Sequence, residues 1–153
     1  MVFGGIIVGI IATIIYESSK QTVRNILFKR RFKFLVGQNV SWKGYGFKDS
    51  NTNEVGKENG ASATFEIICD KQIHISVCHS GRKWNGEITM LTENYGKLFF
   101  KYTDKEEFGT KDCYFKQDKP RNETILLVPT NNPILSTDGS VKYSYGKELF
   151  KKQ

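Results

Sequence analysis

The side chains best suited to chemistry in this sequence are few and far apart. Two histidines, His74 and His79, and three cysteines, Cys69, Cys78 and Cys113, are its natural metal ligands and nucleophiles. If the run from His74 to Cys78 is extended, about 13 Å separates those two residues at roughly 3.3 Å per position, too far to share one metal ion. His79 falls on the opposite face of the same run. The chain has no HExxH, no CxxC and no glycine-rich phosphate loop, and acidic residues gather in turn-like stretches such as Glu106-Glu107. Catalysis needs a nucleophile, a base and an orienting group to converge, so a non-enzymatic protein without cofactor or metal is expected. The odd cysteine count, without the spacing of a disulfide framework, fits reduced thiols in a cytosolic setting.

Recognition chemistry is better represented. Trp42, Tyr45, Trp84, Tyr102, Tyr143 and Tyr145 are amphipathic aromatics, and Arg82 and Lys83 flank one of the indoles. Aromatic faces beside a guanidinium suit a nucleobase and its phosphate, so Trp42, Tyr45, Arg82, Lys83, Trp84, Tyr102 and Tyr143 are the expected contacts of a small anionic ligand such as a cyclic nucleotide. The competing reading of any one of these aromatics is core packing at alternate strand positions.

The elements that must carry these residues follow from hydrophobic periodicity. From Asn39 onward the period is two, and eight strands are expected at about 39–48, 61–69, 72–79, 83–91, 96–103, 110–117, 123–129 and 141–149. Ile73, Ile75 and Val77, then Trp84, Gly86, Ile88 and Met90, alternate with His74, Ser76, Asn85 and Glu87, which gives one buried and one wet face. Asp70-Lys71, Ser80-Gly81-Arg82, Glu93-Asn94-Tyr95-Gly96, Phe108-Gly109 and Pro120-Arg121-Asn122 punctuate the runs as turns. Asp49 to Gly60, whose one apolar side chain is Val55, reads as a long loop at a barrel mouth. With no helix available to cover an open sheet, closure is the economical way to remove its edges. Outward Lys48, Glu66, Lys101 and Asp112 exclude a barrel that itself spans a membrane.

The N-terminus reads differently. Residues 1–16, MVFGGIIVGIIATIIY, carry no charge and no polar face, and a basic segment follows them, as at a membrane exit. Sixteen helical residues cover about 24 Å of a hydrocarbon core of roughly 30 Å, so thinning, snorkelling or oligomerisation must help. No Lys or Arg precedes the apolar run and Tyr16-Glu17 is a poor cleavage context, which argues against a signal peptide. Gly5 and Gly9 form a GxxxG pair through which a second helix could approach, giving homo-oligomers. Of the formal charge of +7, residues 17–37 carry +5, from Lys20, Arg24, Lys29, Arg30, Arg31 and Lys33 against Glu17. This local clustering favours an anionic lipid surface over a nucleic-acid polymer. Lys29, Arg30, Arg31 and Lys33 are expected to contact lipid headgroups while Phe28, Phe32 and Phe34 sit at acyl depth, on an interfacial helix or on a continuation of the anchor. The positive-inside rule puts the N-terminus outside and all that follows the anchor in the cytoplasm, where the sequons at Asn39 and Asn122 would meet no glycosyltransferase.

The expected fold is thus mainly β: a transmembrane helix at 1–16, a basic juxtamembrane segment at 17–37, and a cytoplasmic domain at 38–153 that forms an eight-stranded antiparallel up-and-down, lipocalin-like β-barrel. MVFGGIIVGIIATIIY followed by eight β-runs resembles the β-strand-rich transmembrane effectors of bacterial cyclic-oligonucleotide antiphage signalling. That resemblance implies a barrel that senses a nucleotide at the inner membrane, and membrane segments that assemble when it does. The sequence departs from that family in having one spanning segment where the family has two. Two other functions suit the same architecture, a tethered adaptor that docks a protein partner on the barrel exterior and a carrier of lipids or apolar ligands. The barrel interior discriminates them: a polar cavity suits the sensor, a solid plug the adaptor and an apolar cavity the carrier.

Overall fold

A computed structural model of the chain describes residues 3–37, 40–48, 54–117, 123–129, 133–135, 141–143 and 147–153. The sequons at Asn39 and Asn122, the turn at residues 120–122 and Tyr145 lie outside the described residues.

One helix, α1 (Phe3–Arg31), runs without interruption through both the apolar stretch and most of the basic collar. Its hydroxyl residues donate back into the helix, Thr13 Oγ1 to the Gly9 carbonyl at 2.9 Å and Ser19 Oγ to the Ile15 carbonyl at 2.8 Å. Such internal pairing leaves fewer polar groups unsatisfied in an apolar solvent. Ile6, Val8, Ile10, Ile14 and Ile15 are each more than half exposed. This helix is long and apolar enough to cross a membrane.

The body is a closed antiparallel barrel of eight strands. They are β1 (Trp42–Phe47), β2 (Val55–Cys69), β3 (Gln72–His79), β4 (Arg82–Met90), β5 (Tyr95–Tyr102), β6 (Phe108–Gln117), β7 (Glu123–Pro129) and β10 (Glu148–Lys152). Neighbours in sequence pair in order, and the seam closes where Trp42 of β1 faces Lys152 of β10. Between β7 and β10 the chain forms a separate two-stranded ribbon, β8 (Pro133–Leu135) with β9 (Val141–Tyr143). Inward positions alternate as the sequence predicts: Ile73, Ile75, Ile88, Leu98, Ile125 and Leu127 are all completely buried. The β3–β4 turn uses Ser80 and Gly81 at φ of 50° and 79°, the left-handed pair that matches the twist of the strands it joins.

Three expectations are corrected. Residues 55–60, expected in a loop, belong to β2, because the ladder to β1 tolerates their polarity. Lys43 pairs with Glu58 at 3.2 Å, and Gly60 at φ 77° takes up a bulge while Asn59 Oδ1 accepts from the Ala61 amide. The eighth strand, expected at 141–149, is divided, since residues 141–143 serve the ribbon and only Glu148–Lys152 closes the barrel. Third, Phe28 and Phe32 do not face acyl chains. They are buried in the same core as the barrel, with the Phe32 ring 5.4 Å from Phe115.

The end of α1 therefore lies across one end of the barrel, here called proximal. Asn25 Oδ1 accepts from the Asp70 amide at 2.8 Å in the β2–β3 turn, and Arg31 forms an ion pair with Glu93 in the β4–β5 loop. A single 3-10 turn (Lys33–Leu35) leads into β1, and the Trp42 indole N–H donates to the Leu35 carbonyl at 3.2 Å.

Candidate functional site

Strand pairing sorts the sequence-derived ligand residues into different places. Trp84 and Tyr102 face each other across β4 and β5 at the distal end, and Arg82 stands at the start of β4 close by. Trp42 lies at the other end, 1 % exposed and held by Leu35. Tyr45 follows inward Gly44 and so points outward, under the Lys151 ammonium at 4.9 Å. Lys83 is outward too, beside Ser62, Thr64, Ser76 and Asn85, which line a shallow groove of about 200 Å³. The backbone of Tyr143 belongs to the ribbon, and its side chain lies outside the described residues.

The distal end holds a residue that sequence reasoning missed. Lys111 of β6 points inward and is 4 % exposed, with its ammonium 5.6 Å from the Trp84 ring centre and 5.3 Å from that of Phe100. Its counter-charge is Glu148 at the start of β10, 3.2 Å away. That Glu148 oxygen makes no hydrogen bond although it is buried, so the pair is a close charge contact with imperfect alignment. Aromatic faces and a carboxylate together make burial of a lysine tolerable. Burial raises the Tyr102 pKa above its ordinary value, with the charge of Glu148 adding to the effect. The available signal was the alternation of β6: Gly109, Cys113 and Phe115 face inward, and Lys111 shares their parity. Cys113, deep among these residues, has its thiol pKa pushed up by burial, which leaves a poor nucleophile.

Aromatics also gather where the pattern calls for polar residues. On the outer face of β5 and β6, Phe99 stacks near Phe108 with ring centres 5.9 Å apart, and Tyr95 near Tyr114 at 5.1 Å. Phe99 is 52 % exposed and Phe108 40 %. Between the two pairs the Tyr95 hydroxyl donates to Asp112 at 2.7 Å, and Lys97 forms an ion pair with the same carboxylate. Burial works to raise the Asp112 pKa, but the hydrogen bonds from Lys97 and Tyr95 outweigh it and hold the carboxyl below its ordinary value.

The basic collar shapes two clefts where α1 meets the barrel. Lys29, Arg30 and Lys33 line one of about 640 Å³ with Val36, Phe65, Glu66 and Ile67. Arg24 and Arg31 line the other, of about 440 Å³, with Leu27, Phe28 and Asp70. Of the collar contacts expected from sequence, Lys29, Arg30 and Lys33 thus share a cleft, whereas Arg31 turns to Glu93. Gly5 and Gly9 lie in the N-terminal half of α1, and a methyl group placed on Gly9 would have nothing within 4 Å among the described residues. Among the described residues no three His, Cys, Asp or Glu side chains come together as metal ligands.

No protein-family model and no curated protein matches this sequence. Among solved structures the chain is similar to a redesigned β-barrel, at 14 % identity and a TM-score of 0.48, over 81 % of this chain and 96 % of the other.

Proposed function

We propose that this protein is a membrane-tethered adaptor, in which α1 holds the barrel at the surface of a bilayer and the outer face of β5 and β6 docks a protein partner. The packing of inward side chains carries the reading. Among the described residues, inward positions from Trp42 and Phe65 at the proximal end to Trp84 and Phe100 at the distal end hold buried side chains, which favours recognition on the exterior. The exposed Phe99–Phe108 pair, beside Lys101, is the apolar patch on that exterior, and it suits a partner with an aliphatic surface and an acidic rim. The exposed apolar run of α1 and the basic collar after it support an anchor in the inner membrane with the barrel on the cytoplasmic side.

A second reading, a sensor of a small anionic ligand such as a cyclic nucleotide, draws support from the convergence of Arg82, Trp84 and Tyr102 at the distal end. Occupancy would then act through self-association of the Gly5 and Gly9 face. It requires the Lys111–Glu148 contact to give way, because the Trp84 ring is covered.

Photo-crosslinking in intact membranes tests the choice. A crosslinker at Phe99 is expected to give one discrete adduct with another protein, lost in the Phe108→Ser variant, while a crosslinker at outward Thr64 of β2, three strands away, gives none. An adduct of twice the chain's own mass, or equal adducts from both positions, would reject the adaptor. So would stabilisation of the full chain by nucleotides or fatty acids, since a ligand that binds only the folded state raises its melting temperature.

A further inference from the structure

The collar's cations are not equivalent. Lys20 is paired with Glu17 at 3.7 Å and Arg31 with Glu93, whereas among the described residues Lys29, Arg30 and Lys33 have no carboxylate partner. These three line one cleft, whose wall also includes Val36, Phe65 and Ile67, with Glu66 as its one acid among the described residues. Unpaired like charges around an apolar floor repel one another unless an anion joins them, and an anion with an attached apolar body would satisfy both surfaces.

We infer that the cleft between α1 and the end of β2 is a binding site for one anionic phospholipid, its phosphate held by Lys29, Arg30 and Lys33 and its glycerol and first acyl carbons lying on Phe65 and Ile67. The cleft adjoins the end of α1 that follows the apolar run, and long basic side chains reach several ångströms back toward the bilayer. The bound lipid would pin the barrel to the membrane on the β2 side and so fix which outer face looks into solvent. The Glu66 carboxylate opposes a headgroup of higher charge, which favours a phosphodiester with a single negative charge over a phosphomonoester.

This inference rests on the membrane tether proposed above, and one set of measurements separates the two. The full chain in a neutral detergent is examined by native mass spectrometry with phosphatidylglycerol or phosphatidylcholine of identical acyl chains. One retained phosphatidylglycerol per chain is expected, with at least about tenfold preference over phosphatidylcholine, since each cation near an anionic surface contributes roughly a fivefold factor. The K29Q/R30Q/K33Q variant should lose that preference, while K20Q/K83Q/K101Q, of equal charge, should keep it. Equal loss in both variants, or equal retention of the two lipids, would overturn the site. Displacement of the lipid by millimolar glycerol phosphate would overturn the lipid assignment in favour of a soluble phosphate. Extraction of native membranes with alkaline carbonate tests the tether itself: a chain that remains in the membrane but shows no lipid preference refutes the cleft alone, and a chain that is released refutes the anchor.

Discussion

Lys111 and Glu148 are the residues on which the distal end depends. Glu148→Ala leaves an ammonium buried against Trp84 and Phe100 without its counter-charge, a loss on the order of 2 kcal/mol after allowing for the partial exposure of Glu148. The Lys111→Met, Glu148→Leu double variant is expected to recover most of it, because a matched apolar pair replaces a strained ionic one. Urea unfolding of the full chain in detergent, followed by Trp fluorescence, measures both. A second residue-scale expectation concerns acid. Asp112 has a folded pKa below its unfolded value, so its contribution is fully present above the ordinary carboxylate range and is lost as pH falls through the folded value. Lys97 is half exposed and screened, so the effect is at most about 1 kcal/mol. Asp112→Asn should lower the melting temperature in the neutral region and flatten the acid limb, so that in a thermal-melt series the variant and the parent converge as pH falls below about 4. Lys111 was not legible in the sequence because lysine is so rarely buried, although the parity of β6 places it inside.

At the scale of elements, β3 to β5 were legible because every second residue is apolar or small, and that period states both the strand and its inner face. The first half of β2 was hidden. Residues 55–60 hold one apolar side chain and an Asn-Gly pair, so they show neither alternation nor a hydrophobic run, and only the ladder to β1 makes them a strand. The aromatics of α1 were read on the wrong side for a similar reason. A phenylalanine among arginines looks the same whether it meets acyl chains or protein, and only the tertiary contacts of Phe32 with Phe115 and of Phe34 with Trp42 decide. Of the ligand residues read from the sequence, Arg82, Trp84 and Tyr102 stand at one end of the barrel, and the register that separates Trp42 and Tyr45 from them is set by pairing that single strands do not reveal. Because Phe32 belongs to the barrel core, Phe32→Ala is expected to destabilise the barrel by about 3 kcal/mol. Ile14→Ala, on the free part of α1, should leave it unchanged. Hydrogen exchange at the amides of β6 and β7 distinguishes the two outcomes.

For the whole molecule, α1 and the barrel are joined by the chain and by packing. Continuous helical hydrogen bonding runs from Phe3 to Arg31, and the last turns of that helix are wedged between the Asp70 turn and the Glu93 loop. A connection of this kind is a stiff shaft, unlike a flexible leash. On the proposed membrane tether, any rotation or tilt of α1 within the lipid would swing the Phe99–Phe108 face through the same angle, so bilayer thickness and helix pairing would set the bearing from which the proposed partner approaches.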